Sequence, residues 1–73
     1  DGFAIAKTRA PMETHNKPLS QSDVRKRHGI TVVGIKRRHL DFIYAKAETE
    51  IKPGDHLIVA GPTRMVERFA ALY

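Results

Sequence analysis

At 73 residues the chain has room for one domain at most, near the lower size at which a single core holds itself together. It contains no cysteine, which excludes disulfides and thiolate zinc sites and suits a reducing cytoplasm. Thirteen Lys+Arg against eight Asp+Glu leave a formal charge of +5, which favours anionic partners such as nucleic acid, phosphates or acidic lipid.

The first predicted element is a strand from Phe3 to Thr8, with Phe3 and Ile5 on one face and Pro11 ending it. Residues 12–18 are polar and loop-like. "LSQSDVRKRHG" predicts a short helix with Ser20 as N-cap, Asp23 near the positive end of the dipole and Leu19 packed on Val24. Gly29 is placed to close that helix in the left-handed conformation. "ITVVGIKRR" and "DFIYAKA" read as strands joined around His39-Leu40, which suggests a hairpin. Lys52-Pro53-Gly54-Asp55 predicts a type II turn, because proline presets φ at the second position and glycine accepts φ > 0 at the third. "HLIVAG" is the next strand. Thr63 is the expected cap of a closing helix in which Met65, Val66, Phe69, Leu72 and Tyr73 recur at helical spacing, with Arg64, Glu67 and Arg68 turned outward.

The order β-α-β-β-β-α describes a small α+β domain with two helices on one face of a sheet. Side chains alternate along a strand, so Val32 and Val33, Phe42 and Ile43, and Leu57, Ile58 and Val59 place apolar groups on both faces. The helices cover only one, and the other is expected to be paired in a homodimer or against a neighbouring domain. No apolar run approaches the roughly 20 residues of a membrane span, and Asp1-Gly2 opens without methionine or leader pattern. We therefore expect residues 1–73 to be one domain taken from a longer cytoplasmic protein.

No catalytic constellation emerges. His15, His28, His39 and His56 have no metal-ligand spacing, and Ser20 and Ser22 are explained by the helix start. Asp41, Glu48, Glu50 and Asp55 lie at turns and strand ends, where capping is the usual role. The reading is a non-enzyme without metal or required cofactor. The basic tetrads "RKRH" at 25–28 and "KRRH" at 36–39 stand out, and the second lies beside Phe42 and Tyr44, a setting that suits phosphates and bases.

The ordered stretch "VRKRHGITVVGIKRR…DFIYAKAETEIKPGDHLIVAGP", followed by a short amphipathic helix, resembles the C-terminal RCK domain, also called TrkA-C. The resemblance runs from Leu19 to Leu72 and implies a cytosolic regulatory module of a potassium transporter, channel or cation/proton antiporter. It also implies pairing through this domain and, as in some members, cyclic di-AMP bound in the dimer cleft. By position that pocket maps onto Val32, Val33, Ile35, Arg37 and Arg38 of one strand and Phe42, Ile43 and Tyr44 of the next. Arg37 is the expected phosphate contact, with Val33, Ile35 and Phe42 or Tyr44 against the adenines. Many members carry proline near the end of the third strand, where this chain has Ala45-Lys46-Ala47. Two other readings stay open: a dimerisation module without ligand, and a basic nucleic-acid-binding domain. The latter needs exposed aromatics, and Phe3, Phe42 and Phe69 fit core positions, leaving Tyr44 and Tyr73; no nucleic acid is therefore expected.

Overall fold

The computed structural model describes residues 2–39 and 42–73, so the expectations placed on Leu40 and Asp41 fall outside the described residues. Strand β1 is Phe3–Arg9, helix α1 Val24–His28, β2 Thr31–Lys36, β3 Phe42–Tyr44, β4 His56–Pro62 and α2 Thr63–Leu72, with 3₁₀ turns at Met12–Thr14 and Leu19–Gln21. The strands form one four-stranded sheet in the order β1-β4-β2-β3, antiparallel throughout. The expected β-α-β-β-β-α order holds, and β2 and β3 form the expected hairpin.

Both helices pack on the same face. Val24 of α1, Ile35 of β2, Leu57 and Val59 of β4, and Val66 and Phe69 of α2 meet Ile30 and Ile51 in one cluster, none more than 3% exposed. Each such side chain contributes about 1.5–3 kcal/mol on full burial. Cross-strand partners share a face, so the register places Phe3, Ile5, Lys7 and Arg9 of β1 with Pro62, Ala60, Ile58 and His56 of β4 on the opposite surface. Gly34 and Lys36 of β2 and Tyr44 and Phe42 of β3 continue those rows.

The turn after Ile51 forms as expected: the Asp55 amide donates to the Lys52 carbonyl (3.1 Å) and Gly54 takes φ +91°. The helix start differs. Leu19 and Ser20 donate their amides to the carbonyls of Thr49 and Ala47, and Pro18 bridges Glu50, which holds the chain out of an α-helix there. A 3₁₀ turn intervenes, Ser22 Oγ donates back to the Leu19 carbonyl, and α1 begins only after Asp23 at φ +59°. Ser20 is therefore not the cap. Pro62, not Thr63, precedes α2, and no side chain caps that helix.

The core assignments also need correction. Phe69 is buried, but Phe3 is 66% and Phe42 44% exposed, because both project from the face that the helices leave open. Leu72, in the last turn of α2, is exposed as well.

Candidate ligand-binding site

Strand β2 is irregular at the centre of its pairing with β4. Val32 opposes Val59 and Gly34 opposes Ile58, so Val33 is an extra residue, a β-bulge. The bulge breaks the alternation on which the sequence reading relied. Val32 packs against the core cluster, Val33 is partly exposed, and Ile35 is fully buried on the helix side. Just beyond the hairpin, the Ala45 amide donates to the Val33 carbonyl (3.3 Å), extending the contact between the two segments past β3.

Beside the start of β2 lies a groove of about 220 Å³. Val24, Val32, Leu19, Ala45 and Ala47 supply its apolar lining, and Arg25 and Lys46 stand among its polar residues. Its position follows from the local folding just described: the 3₁₀ turn is tied to residues 47–49, which sets Leu19 and Arg25 opposite the chain leaving β3. The small alanines at 45 and 47 add little bulk to that wall. An apolar slot with convergent cations is chemically suited to a flat ring bearing a phosphate.

The residues expected at a ligand site are divided by the fold. Val32 lines the groove. Val33 lies at the bulge, and Ile43 is half-buried opposite Ile35. Phe42 and Tyr44 occupy the open sheet face as an edge-to-face pair, ring centroids 5.1 Å apart. The tip of the Phe42 ring also lies over Gly34, where a β-carbon would fall 2.0 Å from its Cζ, so a side chain there would displace the ring. Arg38, beyond β2, is exposed at the opposite end of the strand from the groove.

Arg37 has a different set of partners from the phosphate expected of it. Its Nε and Nη2 donate to the two carboxylate oxygens of Asp55 at 3.1 and 2.9 Å, and Nη2 also donates to the Glu50 carbonyl at 2.9 Å. Asp55 is 4% exposed and accepts the Lys52 amide as well (2.8 Å). Burial pushes the Asp55 carboxyl up, but the Arg37 and Lys52 hydrogen bonds and the Arg37 charge outweigh it and hold its pKa below the ordinary carboxylate value. The pair locks the turn at residues 52–55 to the end of β2.

Arg25, Lys46, Leu19 and the two alanines were not among the expected ligand contacts. Arg25 stood in the sequence only as part of the basic run at 25–28, and Ala45-Lys46-Ala47 only as a departure from the family's proline-bearing pattern. Among the described residues, no group of three or more His, Cys, Asp or Glu is arranged to hold a metal ion, and no helix is long and apolar enough to cross a membrane.

A comparison with curated protein sequences returns no match. Among solved structures, the GsuK RCK domain shares the fold at a TM-score of 0.84 and 24% identity over 94% of this chain, which spans 16% of that chain. The RCK C domain of the potassium transport protein KtrA, in complex with c-di-AMP, aligns at a TM-score of 0.76 and 25% identity, covering 97% of this chain and 84% of that one. The RCK_C domain dimer of S. agalactiae BusR, also in complex with c-di-AMP, aligns at 0.70 and 21% identity, covering 97% and 93%. Residues 11–73 match the family model of the TrkA-C domain, and the chain belongs to that family.

Proposed function

We propose that this chain is a cytoplasmic, non-catalytic sensor domain, part of a longer potassium or other cation transport protein, that pairs as a homodimer and binds cyclic di-AMP. The observation that carries the reading is the groove between α1 and the segment leaving β3, apolar within and flanked by Arg25 and Lys46. Family membership and the c-di-AMP complexes of KtrA and BusR support the choice of ligand. Cyclic di-AMP is two-fold symmetric and dianionic, so two copies related by a dyad would offer each phosphate the same cations. In this reading Val32, Ala45 and Ala47 face an adenine, Arg25 and Lys46 face the phosphates, and Arg37 acts at a distance by fixing β2 through Asp55. Phe42 and Tyr44 lie on the open face, where a partner copy would sit, and Val33 and Ile43 belong to the strands that carry it. Ligand that favours one arrangement of the two copies by about 1–3 kcal/mol is enough to bias a transporter.

The test is calorimetry against cyclic di-AMP, with cyclic di-GMP, ATP and a short oligonucleotide as comparisons. The expected result is saturable binding of cyclic di-AMP at one ligand per two chains. Arg25→Ala and Lys46→Ala should each weaken it, since a hydrogen bond to a charged group contributes about 1.5–3 kcal/mol. Absence of binding would leave a ligand-free dimerisation domain, and preference for the oligonucleotide would favour a nucleic-acid partner.

A further inference from the structure

The opposite end of the sheet carries a charge pattern that the groove does not explain. In the pairing register Arg9 of β1 lies directly across from His56 of β4, which lies directly across from Lys36 of β2. Two adjoining clefts open here and share Gly54 and His56. One, of about 370 Å³, adds Lys36, Arg37, Arg38 and His39; the other, of about 210 Å³, adds Arg9, His15 and Asp55, whose carboxylate is held by Arg37.

Among the described residues, the two carboxylates nearest this end are already committed. Asp55 is held by Arg37, and Glu50 is paired with Lys52. Among the described residues, Arg9 and Arg38 have no carboxylate partner. Above Gly54 there is open space, since a β-carbon would meet nothing within 4 Å, so a ligand can approach the turn closely.

We infer that this turn end of the sheet is a second anion site, taking a phosphate-class ligand between Arg9, His56 and Arg38. Guanidinium groups bind phosphate oxygens in pairs, and the histidines add N–H donors on the intervening strand and loop. The Arg37–Asp55 pair supplies the rigid floor, because it fixes the backbone from which Arg38 and His39 project. The site is roughly 17 Å from the groove, five residues along β2 at about 3.4 Å each, and does not depend on the groove being occupied.

The experiment is titration of the chain with pyrophosphate at low ionic strength, read by calorimetry and by NMR shifts of the His39 and His56 rings, beside sedimentation with phosphatidic acid vesicles and with neutral vesicles. The expected result is saturable pyrophosphate binding that shifts both rings and is weakened about tenfold or more by Arg9→Gln with Arg38→Gln, while Arg25→Gln leaves it unchanged. Both replaced arginines are exposed, so an unchanged melting temperature separates a lost site from a lost fold. Capture by the acidic vesicles alone, sensitive to the same double substitution, assigns the phosphate to a lipid headgroup. Binding to neither probe, or equal weakening by Arg25→Gln, overturns the inference by reducing the row to diffuse surface charge. Failure of cyclic di-AMP to bind the groove leaves this outcome unaffected.

Discussion

The same four strands present two surfaces with opposite properties. Toward the helices, Ile35, Leu57 and Val59 are completely buried. On the other side of those strands, Phe3 and Ile5 are 66% and 69% exposed, Tyr44 is 77% exposed, and Lys7, Arg9 and Lys36 stand toward one end of the same face. The difference separates the surface that holds this chain together from the surface its own helices leave uncovered. The covered face supplies the stability of one small domain, and the open face leaves apolar and cationic groups exposed.

Substitutions should report that division with effects of very different size. The largest belongs to the covered face: Phe69→Ala should cost about 3–5 kcal/mol in denaturant unfolding, enough to leave so small a domain largely unfolded. Retention of a cooperative transition at the wild-type midpoint would mean that α2 is dispensable and that the core lies elsewhere.

Asp55→Ala should come next, at about 1–3 kcal/mol, because it leaves the part-exposed Arg37 guanidinium and the Lys52 amide without their acceptor. The same pair predicts an acid limb. The folded carboxyl has a pKa below its unfolded value, so its contribution is complete above the ordinary carboxylate range and is lost as pH falls through the folded pKa. Stability of the wild type should therefore drop more steeply in acid than that of Asp55→Asn, as thermal melts across that range would show. Parallel curves would remove the pair from the account. Gly54→Val should cost about 1–3 kcal/mol, since a β-branched residue is strained at φ +91°. An unchanged melting temperature would contradict the turn geometry.

The smallest effect on the fold should come from the open face. Phe3→Ser with Ile5→Ser should change monomer stability by no more than about 0.5 kcal/mol per site, yet shift sedimentation equilibrium at tens of micromolar from dimer toward monomer. A pair of substitutions that unfolds the chain instead would show that both faces carry core.

The sequence made the covered face legible because its signals are local. Helical spacing marked Val66 and Phe69, alternation marked the strands, and Lys52-Pro53-Gly54-Asp55 declared its own turn. What it did not disclose was non-local. Arg37 and Asp55 are 18 residues apart, and nothing in either neighbourhood announces the other. The bulge at Val33 has no compositional mark within "TVVGI", yet it decides which side chains share a face and so sets Val33 apart from Ile35, both of which were expected against an adenine. Phe3 and Phe42 looked like core residues because hydrophobicity records a preference for burial without naming the partner that provides it. The groove was not visible beyond Val32: Ala45-Lys46-Ala47 stood out only as a departure from the family pattern, and the tie between residues 19–20 and 47–49 that shapes the groove requires the fold.

Strand β1 has a consequence for how the molecule behaves in concentrated solution. It is an outer strand of seven residues, Phe3–Arg9, long enough to template another strand, and its exposed apolar half adjoins Lys7 and Arg9. Positive charge beside an apolar edge acts as a gatekeeper against aggregation, holding like molecules apart before their edges can pair. That protection is electrostatic and therefore shrinks as salt shortens the screening length from about 10 Å at 0.1 M to about 3 Å at 1 M. Ionic strength thus sets whether β1 stays a protected margin of the sheet or becomes the seed of a larger one.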